Sequence, residues 1–456
     1  MKGIQLTIVV LLCLPAPRAA WAFASDDFEK DPIHYSAAEA DNTVSRLQQR
    51  LAAGQASLTH EEHFGYLRSL LHELQVPESS QMLVFSKTSL QRHRISPHTP
   101  RALYFSDDIY VGFCQRGDVL EISAVDPHLG AVFYTLDQEP TAAPRIRRHG
   151  DTCLLCHGSS PTHGVPGHLV RSLFADTEGL PILASGTYRI DHTSPLKQRW
   201  GGWYVTGTHG DQTHLGNLVI RERRVVEPVD NTAGLNITDL RGRIDTKAYL
   251  TPHSDIVALM VLEHQAEGHN LITQANFQTR LALHQEAALN RDLGQPETHR
   301  WDSTTRRIRS VGEPLVQYLV FSGEAALTAR ITGTSDFAAA FSQRGPRDRK
   351  GRSLRDFDLE HRLFKYPCSY LIYTAAFDAL PTPVKDYVLR RLWDILNGRD
   401  STKEFAHLSS ADRQAIREIL VVTKKDLPEY WLRKESGVRG RKSEIGGQES
   451  GVEGPR

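Results

Sequence analysis

Five consecutive residues, Cys153-Leu154-Leu155-Cys156-His157, constrain this chain more than any other stretch. Two thiols three positions apart, with an imidazole directly after the second, match the C-x-x-C-H attachment pattern of a c-type haem. Thiols that add across the two vinyl groups of haem become thioethers and fix the cofactor covalently. Two intervening residues let one helical turn span the vinyl-to-vinyl distance, and His157 is then placed to reach the iron as proximal ligand. A chain anchored in this way has to fold around a flat, rigid group.

Paired cysteines also serve two other chemistries. A zinc site needs two more Cys or His ligands at short spacing, and a thioredoxin-like pair wants a βαβ context. The other cysteines, Cys13, Cys114 and Cys368, are single and distant. In an oxidising compartment Cys114 and Cys368 form either a disulfide tying the two halves together or two separate buried thiols, and the sequence leaves both open.

The first residues read as a secretory signal. Lys2 gives a positive start, Ile4 to Leu14 is an apolar run broken only by Gln5 and Thr7, and Ala20-Trp21-Ala22 offers a small-x-small cleavage pattern. Residues 1–22 are thus expected to be removed. A run this short is not a bilayer span, and no later segment is apolar enough for one, so the mature chain is expected to be periplasmic or otherwise extracytoplasmic. Export agrees with covalent haem attachment. Lys plus Arg equals Asp plus Glu at 54 each, so no basic field points to nucleic acid.

Two helical patterns, Val44, Leu47, Leu51 and then Phe64, Leu67, Leu70, Leu71, Leu74, open residues 35–75. Short β-like runs follow at 82–85, 102–105, 109–113, 119–125 and 131–134, parted by turn residues such as Asp107-Asp108, Gly117-Asp118 and Asp126-Pro127. This predicts an antiparallel meander leading to the haem segment. Arg145, Arg147, Arg148 and His149 just before the motif either meet the haem propionates or form a solvated turn. Trp200 and Trp203, flanking Gly201-Gly202, suit packing against an apolar plane. From about 250 the chain reads as helical: Ser254 caps a first helix through His264, a second runs to about 290, and a third covers 304–321. Thr382 caps and Pro383 starts a later helix. The basic stretch 343–356 is either a dock for an acidic redox partner or a solvated connection. The fold class is therefore α+β. A region of N-terminal helices plus meander (23–149) precedes the haem c segment with short strands (150–227). A mainly helical half (228–433) and a disordered tail (434–456) follow.

Several longer runs carry a resemblance: Arg101-Ala102-Leu103-Tyr104-Phe105, Phe133 to Asp137, Gly164-Val165-Pro166-Gly167, Arg199 to Gly210 and Lys365-Tyr366-Pro367-Cys368. They resemble a group of large, exported, single-haem bacterial proteins described only as containing a cytochrome c domain. The resemblance spans most of the mature chain. It implies one covalent haem c on Cys153, Cys156 and His157 and an extracytoplasmic location. The chain departs from the small soluble cytochromes c, whose methionine ligand follows the motif closely; here the first methionine after His157 is Met260.

The other face of the iron separates two functions. An electron carrier fills it with a second strong ligand. Met260 and His264, four apart on one helical face, are candidates, with His168, His209 and His214 as rivals. A haem enzyme leaves it open to a small oxidant or nitrogen compound, assisted by a distal pair such as His209 with Arg199 or Arg171. Mono-haem electron transfer to an unidentified redox partner is the expected function, and haem catalysis the alternative. A bare carrier needs only roughly 100 residues, which favours the alternative on size.

Overall fold

The computed structural model describes residues 28–222 and 229–433. The expected signal peptide and the expected disordered tail at 434–456 lie outside the described residues. Two helices open the fold, α1 (Thr43–Ala52) and α2 (Leu67–Glu73). Asn42 starts α1 through a capping box: its side chain accepts from the Val44 and Ser45 amides, and the Ser45 hydroxyl accepts from the Asn42 amide.

Six strands follow in chain order and pair in that order, antiparallel throughout: β1 (Met82–Val84), β2 (Arg101–Phe105), β3 (Ile109–Phe113), β4 (Val119–Asp126), β5 (Gly130–Asp137) and β6 (Ile146–His149). The predicted meander is present, with one strand more than the sequence suggested. β6 is built from the arginine-rich stretch before the motif. Its polar side chains have partners of their own: Arg147 pairs with Asp137, Arg148 donates to the Ala38 and Tyr35 carbonyls, and His149 Nε2 lies 2.7 Å from the Thr135 hydroxyl.

Alternation along the strands gives the sheet two unlike faces. Ala102, Tyr104, Val111, Leu120, Val132 and Leu136 are buried with Leu67, Leu70 and Leu71 of α2 in an N-terminal apolar core. The opposite face carries two rows set by the register. Leu103, Gly112, Glu121 and Thr135 form one, and Tyr110, Ser123 and Phe133 the other. After β6 comes α3 (Asp151–His157), then the hairpin of β7 (Arg171–Leu173) and β8 (Thr187–Arg189).

The C-terminal half is helical. One helix of 37 residues, α4 (Ile256–Asp292), runs through it, where the sequence suggested two. Asp255, not Ser254, is its cap, accepting from the Val257 and Ala258 amides. The Ser254 hydroxyl donates to the Tyr204 carbonyl instead. Around α4 pack α5 (Asp302–Leu319), α6 (Phe337–Gln343), α7 (Ala375–Asp378), α8 (Thr382–Leu396), α9 (Ser410–Thr423) and α10 (Glu429–Leu432), which share a second apolar core. A two-stranded pair, β9 (Gly207–Thr208) with β10 (Thr332–Gly333), clips the segment before α4 to the segment after α5.

Two alternatives that the sequence left open are decided here. Cys114 and Cys368 are free thiols, one in the sheet region and one in the helical core, each pushed up to about 12 by burial. The basic stretch 343–356 is held by internal ion pairs, Arg352 to Asp348 and Glu418, Lys350 to Glu418, and Arg347 to Asp356. Charges already matched in this way leave little field for an acidic partner. Among the described residues no helix is long and apolar enough to cross a membrane.

Candidate functional site

Leu154 fixes α3 to the molecule: it is buried in the N-terminal core, while Leu155 on the next position is exposed. The three-residue spacing then puts Cys153 and Cys156 on one side of the helix. Both thiols and His157 line a single cavity of about 330 Å³. Its floor is the second face of the sheet, with Leu103, Tyr110, Gly112, Glu121, Ser123, Phe133 and Thr135. Its far wall is α4, through Leu262 and Ala266, and its side is formed by His168, Val170 and Trp203. The cavity therefore lies where the two apolar cores meet.

The loop after α3 orients His157. The Gly167 amide donates to the His157 carbonyl (2.8 Å), and the His157 Nδ1 lies 2.9 Å from the Gly167 carbonyl oxygen. A carbonyl only accepts, so Nδ1 carries the proton and Nε2 keeps its lone pair. Burial lowers the pKa of this imidazole, which keeps it neutral, as ligation of a metal requires. The loop is itself tied down. The Ala131 amide donates to the Pro166 carbonyl, and Asn270 of α4 exchanges two hydrogen bonds of 2.8 Å with the backbone of His168. A Cβ on Gly167 would strike Asn270, so this close clasp needs glycine.

Two sets of polar groups stand out in the cavity. Arg101 and Glu121 pair at 2.5 Å and neutralise each other, and among the described residues the buried Arg101 Nε has no partner. Tyr110, Ser123 and His168 form the other set: the Ser123 hydroxyl and His168 Nε2 are 2.8 Å apart, and the Tyr110 and His168 rings lie 4.1 Å apart.

These residues fit a haem c. Two thiols and a neutral imidazole come from one turn, the floor is thinned by Gly112, the walls are largely apolar, and Arg101 has an unpartnered donor for a carboxylate. They fit the other chemistries of a cysteine pair poorly. Burial pushes the Cys153 thiol up to about 11, opposite to what a reactive dithiol needs. Among the described residues no three His, Cys, Asp or Glu side chains converge to hold a bare metal ion, so the pair lacks the further ligands of a zinc site.

The distal candidates from sequence scatter. Neither Met260 nor His264 lines the cavity. Met260 is buried in the helical core, and His264 is held between His192 (Nδ1 to Nδ1, 2.8 Å) and the Ser369 hydroxyl (2.8 Å to Nε2). His209 and His214 contact each other, and His214 also Trp200, and neither lines the cavity. Arg199 is buried in an ion pair with Glu263, and Arg171 is exposed on β7. Of the rivals, only His168 reaches the cavity. Of the two tryptophans, Trp203 lines it, while Trp200 donates to Glu263. Gly112, Glu121 and Tyr110 were not legible as site residues, because only the strand register brings them together. Comparison with protein-family models, with curated proteins and with solved structures finds no match for this chain.

Proposed function

We propose that this chain is an extracytoplasmic c-type cytochrome. One haem c is attached to Cys153 and Cys156 and ligated by His157, and the protein works in electron transfer. The observation that carries the reading is the convergence of both thiols and a pre-oriented imidazole on one cavity. Bound there, the haem would supply a one-electron couple between ferric and ferrous iron. The chain's own residues set the terms of that couple. The Gly167 carbonyl accepts the Nδ1 proton and makes His157 a more basic ligand. The apolar walls exclude water, and the Arg101–Glu121 pair keeps the cavity close to neutral.

A second reading, a haem enzyme with an open sixth position, is favoured by one observation: of the distal candidates only His168 reaches the cavity, and its Nε2 is engaged by the Ser123 hydroxyl. The optical spectrum of the purified, exported protein separates the two. A low-spin spectrum indifferent to carbon monoxide supports the carrier; a high-spin spectrum that takes up carbon monoxide supports the enzyme. Replacing Cys153 and Cys156 together by alanine should abolish haem that survives denaturing electrophoresis. Covalent haem retained in that variant would sink both readings.

A further inference from the structure

Asn270 of α4 is buried and spends both of its amide protons. Its Oδ1 accepts from the His168 amide (2.8 Å), and its Nδ2 donates to the His168 carbonyl (2.8 Å) and to Glu267 Oε2 (3.2 Å). A backbone amide only donates and a carbonyl only accepts, so these partners settle which amide atom is the nitrogen. The His168 amide belongs to the same peptide unit as the Gly167 carbonyl, the group that accepts the His157 Nδ1 proton. A peptide unit is planar, with its C=O and N–H pointing opposite ways. Holding the N–H from one side therefore aims the C=O on the other. The two bonds also polarise each other, since a peptide whose N–H is engaged is a stronger acceptor at its oxygen.

The same contacts continue outward. Glu267 is buried, and its Oε1 lies 2.7 Å from His163 Nε2 and 3.5 Å from a guanidinium nitrogen of Arg189. Arg189, exposed on β8, also donates to the Pro161 carbonyl. Pro161 and His163 lie near the start of the loop that follows α3, and Gly167 and His168 lie at its end. A continuous run of polar contacts thus leads from the half-buried His163 through a carboxylate, an amide and one peptide unit to the Nδ1 proton of His157. Neither Glu267 nor Asn270 lines the cavity, so neither acts by contact with a group bound there.

We propose that Asn270 and Glu267 are positioning residues for the axial ligand: through the Gly167–His168 peptide they set the strength of the His157 Nδ1 hydrogen bond, and with it the reduction potential of the haem. The proposal rests on the haem c reading and is the same for the carrier and for the enzyme. A firm hydrogen bond at Nδ1 gives the imidazole more anionic character, which favours ferric iron and lowers the potential.

The test is the midpoint potential of the full exported holo-protein. Asn270→Ala exchanges one neutral side chain for another, and its potential should shift to a more positive value. Gly167→Ala attacks the same contact from the loop, because a Cβ there would strike Asn270 Oδ1, and should shift the potential the same way. Leu262→Ala supplies the contrast: it opens the cavity wall to water, which favours the more highly charged ferric iron, and should shift the potential down. Glu267→Gln should raise the potential of the wild type, and by a smaller step once Asn270 is alanine, because the part relayed through Asn270 is already lost. In the wild-type ferrous protein the His157 Nδ1 proton, followed by NMR, should exchange slowly with solvent. An unchanged potential in Asn270→Ala, or one that falls as in Leu262→Ala, would overturn the proposal. So would a wild-type Nδ1 proton that exchanges as fast as an exposed one, a measurement that needs no variant to fold. Absence of covalent haem from the wild type would instead defeat the haem c reading itself.

Discussion

Gly112 on β3 illustrates how a missing side chain can shape a site. It sits between Leu103 and Glu121 in the row that floors the cavity, and a Cβ there would run into the Arg101 guanidinium. An added side chain has to displace the Arg101–Glu121 pair or project into the space a haem would occupy. Gly112→Leu is therefore expected to fold, since the obstructing atoms are the far end of a flexible side chain, but to lose covalent haem. Haem content per polypeptide, measured beside a circular dichroism spectrum, checks this. Full haem loading in Gly112→Leu would place the disc elsewhere. The residues of the proposed attachment site stand out in the sequence because the chemistry proposed for them is local: five residues carry it all. Gly112, Glu121 and Tyr110 do not, because their meaning lies in antiparallel register, which a linear reading does not supply.

At the scale of elements, α4 is where sequence and structure part most clearly. A helix with one apolar stripe announces itself by its period. Every residue of α4 from Ile256 to Thr273 is buried, so polar residues appear all round and the period is lost. Each of several polar residues has its own partner: Glu263 with Arg199 and Trp200, Gln265 with two tyrosines, Asn270 with the His168 backbone. The strands were easier to read, because short runs bounded by turn residues survive any change of partner. The start of α4 depends on Asp255. Besides capping the helix, its Oδ2 accepts from the Thr334 and Ser335 amides and the Ser335 hydroxyl. Asp255→Ala removes the cap and leaves buried donors unmatched, a loss of about 3 kcal/mol. Asp255→Asn keeps a capping acceptor and should lose about half as much. Chemical denaturation of the two variants decides it, and equal losses would mean that the cap contributes nothing beyond charge.

For the whole molecule, the buried histidines set the response to acid. Besides His157, six have their pKa lowered, chiefly by burial: His168, His192, His209, His214, His264 and His269. His192 and His214 are held at about 3, and His269 at about 4. In the unfolded chain each titrates near 6.5. Below that pH the unfolded state binds protons that the folded state refuses, so stability falls as pH falls. At pH 5.5 each histidine held well below that pH costs about 1.4 kcal/mol relative to pH 7.5, and His209, which burial lowers less, costs less. Glu324, raised by burial to about 7, acts the other way. Its protonation in the folded state adds stability as pH drops from 7.5 to 5.5, and offsets only part of the histidine loss. The balance is a net loss of a few kcal/mol over that interval, above the range where ordinary carboxylates titrate. The urea midpoint should therefore drop between pH 7.5 and pH 5.5. His214→Gln, which removes one of the six, should show a smaller drop. Equal midpoints at the two pH values would mean that these imidazoles find protons or water inside the fold.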